Sequence, residues 1–195
     1  MTATVPRDTA ATVGRLMLIV GALVAAMSIR VVLGSTSSLS GLVFAVLVGG
    51  TAVVAGWRPA APRPIAIATG VAGTLPLCAV PLALRLGGHA FVLGPLPLAL
   101  LPGWAVLILL ISVAEEALLR GALFDVMTVL AGEVAAVAVA AMTFAVLHVP
   151  MYGWWAVPID LAAGVWLGGL RLATRGVAAP STAHALADLA SWWLR

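Results

Sequence analysis

The sequence predicts an all-α fold, a polytopic membrane bundle of about seven transmembrane helices, and three observations carry that reading. Hydrophobic residues make up 63% of the 195 residues, and the mean hydropathy is +1.17. Charged residues make up only 9%, against roughly a quarter in a soluble domain. Apolar runs of helix length follow one another from residue 16 almost to the end, separated by Gly, Pro, Ser and Arg. A chain so poor in charge cannot cover a soluble globule. Its bases are all Arg, with no Lys, and the net charge of +3 is spread along the chain. That pattern orients a membrane protein and does not make a nucleic-acid surface. Cys78 stands alone, so an internal disulfide is excluded.

Residues 1–15 read as a polar N-terminal cytoplasmic tail. Residues 16–33 read as an uncleaved first span, because no small-residue cleavage site precedes the next apolar run; Arg30 would snorkel to the interface. A Gly/Ser-rich turn leads to a second span at 42–57, closed by Trp57-Arg58-Pro59. Arg63-Pro64 opens a third, to Leu86, which Pro76 and Pro81 would bend. Residues 90–101 are apolar but too short to cross as a helix, and their prolines suit an interfacial or re-entrant stretch; His89 reads as solvated. Pro102 suits the first turn of a fourth span reaching to about Leu130. A hairpin near Ala131-Gly132 leads to a fifth at 133–149, ended by Pro150. A sixth fits 157–172 and a seventh 177–194, with Trp192 and Trp193 as interface anchors. Residues 16–101 are then accessory helices and 102–195 the functional core. An N-inside orientation puts Arg7, Arg15, Arg58, Arg63, Arg171 and Arg175 on the cytoplasmic side and Arg30, Arg85 and Arg195 outside.

Against this background the polar residues inside the spans stand out. A charge deep in a span costs about 2.5–3.5 kcal/mol even on lenient insertion scales, yet the fourth reads Ser112-Val113-Ala114-Glu115-Glu116-Ala117-Leu118-Leu119-Arg120. Glu116 and Arg120 are spaced i,i+4 with the acid first, the favourable order for a pair on one helix face. Read blandly, they are a neutralised structural pair. Glu115 is rotated about 100° away and must find its partner on another helix. The expected hairpin sets it level with His148. On the seventh span His184 and Asp188 form another i,i+4 pair, in which Asp188 could fix the tautomer of His184 and leave its other nitrogen for chemistry; the bland alternative is an interhelical hydrogen bond. Asp160, in the first turn of the sixth span, reads as an acid stabilised by the helix N-terminus. Asp125 and Glu133 flank the hairpin.

Two acids, an arginine, two histidines and an aspartate in one membrane region suit water activation or ion translocation. A glutamate in an apolar site can act as general base, and a histidine can donate to a developing oxyanion. Carboxylate and histidine together would also fit zinc with an open water position, although no HExxH-type spacing fixes such ligands. No GxSxG elbow occurs and Cys78 has no nearby base. Three functions therefore compete: a membrane hydrolase, a non-catalytic membrane scaffold or immunity-type protein, and a proton-coupled transporter. The last would be expected to show paired half-helices or an internal repeat, and neither is visible.

Glu115-Glu116-Ala-Leu-Leu-Arg120-Gly121 resembles the EExxxR motif of the type II CAAX-prenyl-protease and bacteriocin-processing (CPBP) family of intramembrane proteases. Phe144 to His148 resembles its FxxxH, and His184 to Asp188 its HxxxN/D, preceded by the family-like Gly168-Gly169-Leu170-Arg171-Leu-Ala-Thr174-Arg175-Gly176. The likeness spans roughly residues 111–190, in the family's motif order. It implies an all-helical intramembrane endopeptidase acting on a small peptide or membrane-protein segment in the bilayer, with no nucleic-acid partner. By motif, Glu115 and His148 would activate water, Glu116 and Arg120 would support them, and His184 with Asp188 would stabilise the oxyanion. The family's chemistry implies either glutamate alone or a zinc or other divalent metal, for which Glu115, His148 and His184 are the candidate ligands. Asp188 departs from the prenyl-protease branch, which has an amide there; an ionised Asp would repel an oxyanion, so it must be protonated, bind a metal or orient His184. The lysine-free, Ala/Arg-rich composition fits a bacterial cytoplasmic membrane protein from a GC-rich source.

Overall fold

The computed structural model describes residues 9–86 and 97–194. The expectations for Arg7, His89, residues 90–96 and Arg195 lie outside the described residues. Helix α1 runs Thr9–Val32, α2 Ser38–Val54, α3 Pro64–Leu86, α4 Leu101–Glu116, α5 Phe124–Tyr152, α6 Val157–Thr174 and α7 Ala178–Leu194. A 3₁₀ turn, Leu98–Leu100, precedes α4, and another, Trp154–Ala156, precedes α6. Among the described residues there is no strand.

Between α4 and α5 the chain stays helical but widens into a π segment, Ala117–Leu123. The break expected at Ala131-Gly132 falls inside α5, where Gly132 adopts φ 86° and ψ 171°. Such backbone is essentially reserved for glycine, and a Cβ there would meet open space, so the constraint is conformational and not steric. Residues 101–131 thus form one rod and 133–152 the next. Four apolar helical stretches are long enough to cross a membrane: Thr9–Val32, Pro64–Ala83, Leu98–Tyr152 and Trp154–Thr174. Ser38–Val54 is apolar but shorter. Large apolar side chains such as Met17, Val24, Leu75, Val106, Val134 and Met142 are exposed, a surface suited to lipid and characteristic of an integral membrane protein.

The centre belongs to the rod 101–131. Every residue from 114 to 124 is buried, as in a helix packed on all sides, and Leu118, Leu119 and Leu123 join Phe44 and Val48 of α2, Ile19 and Leu23 of α1 and Leu167 of α6 in one core. α7 packs extensively on α3, and the rod 133–152 lies along α6. The latter approach is very close: a Cβ on Gly164 would sit 2.7 Å from the Ala141 Cα, and one on Gly168 2.9 Å from a Val137 methyl.

Three contacts gather the arginines expected on one side. Arg15 donates to the Ala55 carbonyl at 2.6 Å, Arg63 donates to the Thr174 carbonyl, and Arg175 pairs with Glu133. The start of α1, the α2–α3 connection, the Gly132 break and the α6–α7 turn therefore share one end of the bundle.

Several boundaries and placements differ from the sequence pattern. α1 begins at Thr9, inside the expected tail, because Ala10, Ala11 and Val13 extend the helix and Arg15 is held at Ala55. The helix expected to stop at Pro150 continues to Tyr152; proline forfeits one backbone bond near the end, and the Gly153 N–H closes back on the Val149 carbonyl at 2.8 Å. Arg30 does not snorkel. It is 5% exposed, its guanidinium lying 4.5 Å over the Phe44 ring and reaching Met151 Sδ at 2.8 Å, because the short turn after α1 folds α2 back beside it. Trp192 is buried against Trp104, ring centroids 4.9 Å apart, whereas Trp193 is exposed as expected of an interface anchor.

Candidate active site

Glu116 and Arg120 meet as their spacing requires, Nη1 to Oε1 at 2.8 Å, both completely buried. The second Arg120 amino group donates to the Gly164 carbonyl of α6 at 3.0 Å, and Phe144 of α5 lies 5.0 Å beneath the guanidinium. The π segment leaves a further mark on this residue. Wide turns free backbone carbonyls from helical pairing, and the Arg120 carbonyl accepts from Arg171 Nε at 2.8 Å. Arg171 also pairs with Asp125 at 3.0 Å, so this arginine, read in the sequence as an orienting charge, ties α6 to the central rod.

α7 delivers its histidine onto the same carboxylate. His184 Nδ1 lies 2.9 Å from Glu116 Oε1, and its Nε2 lies 3.3 Å from Asp188 Oδ2 and 3.8 Å from Glu115 Oε2. Both ring nitrogens thus face carboxylates, an arrangement satisfied by two N–H donors. The nitrogen that the sequence reading reserved for chemistry is held by Glu116, a partner that spacing on one helix could not reveal. Four residues back along α4, Ser112 Oγ lies 2.7 Å from Asp188 Oδ2 and 2.9 Å from the Ile108 carbonyl. Ser112 with Asp188 and Glu116 with His184 are therefore two rungs between antiparallel helices, one turn apart. They close the depth gap that the sequence left between His184 and the acids.

Glu115 does find its partner on another helix, but the contact is with His184 of α7. No direct hydrogen bond or ion pair joins it to His148, and at 3.8 Å the His184 contact is itself beyond hydrogen-bond range. Glu115 is nonetheless 2% exposed. His148 Nδ1 lies 2.8 Å from the Phe144 carbonyl. Because a carbonyl oxygen only accepts, Nδ1 carries the proton and Nε2 keeps its lone pair. Phe144 sits between the two histidines, 4.4 Å from the His148 ring and edge-on to His184 at 5.2 Å. Tyr152 stacks on the other side of His148. The FxxxH spacing thus fixes one histidine and wedges its aromatic ring against the other.

Asp160 was passed over in the sequence as a helix-end acid. In the structure it lies within electrostatic reach of His148, Glu115, Asp188 and His184, and its Oδ2 is buried without a hydrogen-bond partner. Ser112 was also missed, since an isolated serine on an apolar helix usually bonds its own backbone. As to a metal, no group of three His, Cys, Asp or Glu among the described residues is arranged to hold one.

Residues 97–190 match the family model described as Type II CAAX prenyl endopeptidase Rce1-like. No curated protein and no solved structure matches the chain. The matched segment begins just before α4 and ends within α7, enclosing every residue of the cluster. Residues 97–190 of the chain are thus similar to the type II CAAX prenyl endopeptidase Rce1-like family.

Proposed function

We propose that the protein is a multi-pass intramembrane endopeptidase that hydrolyses a peptide bond in a small peptide or membrane-protein segment, using water activated by Glu115 and His148. The observation that carries this reading is the contrast between the two glutamates. Glu116 is held by Arg120 and His184 through Oε1, and only its Oε2 is left without a partner. Glu115, one residue away and equally buried, makes no hydrogen bond among the described residues and retains its lone pairs. A structural pair needs only Glu116. A buried carboxylate without a hydrogen bond suits abstraction of a proton from water, and His148 Nε2 is the nitrogen that would help hold that water.

In this mechanism water lies between Glu115 and the His148 Nε2. Its oxygen attacks the carbonyl carbon as Glu115 takes the proton. His184, held at Nδ1 by Glu116, turns its Nε2–H from Asp188 toward the negative charge that develops on the carbonyl oxygen. The Ser112 hydroxyl, 2.7 Å from Asp188 Oδ2, supports an orienting role for that carboxylate beside His184. Arg120 neutralises Glu116 without touching substrate. No step requires a metal. The seven helical rods among the described residues, with Arg15, Arg63 and Arg175 at one end, favour seven crossings with that end in the cytoplasm.

The test is cleavage of a farnesylated CAAX-ended peptide and its unprenylated counterpart by the reconstituted chain. Wild type should cleave at least one, and Glu115→Ala and His148→Ala neither. Cleavage by both variants at the wild-type rate would remove the catalytic assignment and leave a scaffold of the same fold. Loss on chelation with recovery in zinc would replace the metal-free reading.

A further inference from the structure

We propose that Asp160 is a further catalytic residue, the acid that delivers a proton to the leaving nitrogen when the peptide bond breaks; the proposal rests on the hydrolytic reading above. An aspartate in the first turn of a helix ordinarily caps backbone N–H groups or answers the helix dipole. Asp160 does not cap: the N-cap of α6 is Ala156, and no side chain makes the capping bond. Its buried Oδ2 has no partner at all, an expense in an apolar interior that a merely local role leaves unexplained.

Its position points into the site. Gly168 meets Val137 and Gly164 meets Ala141 across the α5–α6 contact, and the same antiparallel register, carried one turn further, sets Asp160 level with Ala145. That is between Phe144 and His148 in the FxxxH segment. One turn on from Asp160, the Gly164 carbonyl receives Arg120. The titratable groups whose charges act on Asp160 come from three other helices: Glu115 of α4, His148 of α5, and His184 and Asp188 of α7.

The cluster then divides by use. Of its four carboxyls, Glu116 is held by Arg120 and His184 through Oε1, with Oε2 unpartnered, and Asp188 is held by His184 and Ser112. Glu115 lacks any hydrogen bond among the described residues, and Asp160 has a buried oxygen without one. Hydrolysis of an amide needs a base for the water and an acid for the amine, and two carboxyls in different surroundings can supply both. Glu115 takes the water proton as the C–O bond forms. When the tetrahedral intermediate collapses, the C–N bond breaks, its electron pair goes to nitrogen, and nitrogen takes the proton from the Asp160 carboxyl. The cycle closes when Glu115 releases its proton to solvent and Asp160 regains one.

An ester in place of the scissile amide separates this role from a structural one, because an alcohol leaves with far less need of protonation. The probes are the farnesylated CAAX-ended peptide and its depsipeptide counterpart, each with the reconstituted full chain. Asp160→Asn should lower kcat on the amide about 100-fold or more, leave KM unchanged, lower ester turnover less than about tenfold, and remove the high-pH limb of the amide rate profile. Asp160→Glu should restore part of the amide rate and that limb, and it decides the matter if the asparagine variant unfolds. Equal losses on amide and ester, or an unchanged amide rate, would overturn the proposal. If Glu115→Ala is dead and Asp160→Asn cleaves the amide normally, only this proposal fails. If wild type cleaves neither probe, or Glu115→Ala matches it, the hydrolytic reading fails too.

Discussion

One oxygen of the Glu116 carboxylate, Oε1, takes a guanidinium N–H and faces an imidazole nitrogen, entirely out of contact with solvent. Removing one member of such a buried pair costs more than the pair contributes, because the survivor is left charged and unpartnered. Arg120→Ala should therefore destabilise the protein by about 3–5 kcal/mol, measured by denaturant unfolding in micelles. The double change Arg120→Met with Glu116→Gln should cost clearly less than the two single changes summed. Arg120→Lys should not rescue, since one ammonium cannot replace a planar fork serving Glu116 and Gly164 at once. Ser112→Ala removes the hydroxyl contact with Asp188 and should cost about 1.5–3 kcal/mol by the same measurement. At this scale the sequence was most legible where partners lie on one helix, as with Glu116–Arg120 and His184–Asp188. It was silent where partnership depends on the rotation of one helix against another. Hence Glu115 was matched to His148, Ser112 was passed over and Asp160 was read as a helix-end acid.

Elements were legible where glycine and proline punctuate the chain. Pro102, Pro158 and Gly132 mark boundaries the structure keeps, since each restricts or extends the backbone in a way apolar side chains cannot mask. Gly132→Ala should cost about 1–3 kcal/mol through backbone strain alone, and its denaturation midpoint should fall while the cluster, remote from the break, keeps its activity. Gly164→Ala should be worse. Its methyl would press on the Ala141 backbone, where no flexible side chain can yield, so α6 must move off α5 and the Arg120–Gly164 bond must stretch. Both unfolding stability and cleavage should drop together. The π segment had no such signal. Ala117–Leu123 is composed of ordinary helix formers, and the extra residue is accommodated by packing on every side and by Arg171 at the Arg120 carbonyl.

For the molecule as a whole, the charge scarcity that identified a membrane protein also located the candidate site, because nearly every buried charge belongs to the cluster. The gathering of Arg15, Arg63 and Arg175 at one end yields a test of topology. In a Cys78→Ser background, cysteines introduced at Ala60 and Gly176 should label from the same side of a sealed vesicle and one at Thr36 from the opposite side. Labelling of Ala60→Cys and Gly176→Cys from different sides would refute the seven-crossing arrangement. α7 adds a different consequence. One of its faces rests on α3, while the other is fastened by Glu116–His184 and Ser112–Asp188. In the proposed mechanism the atoms that latch the last helix also act in the reaction, so each turnover would loosen its own fastening. Robustness and reactivity would then be set by the same few contacts, and a substitution that hardens the latch should lower the cleavage rate.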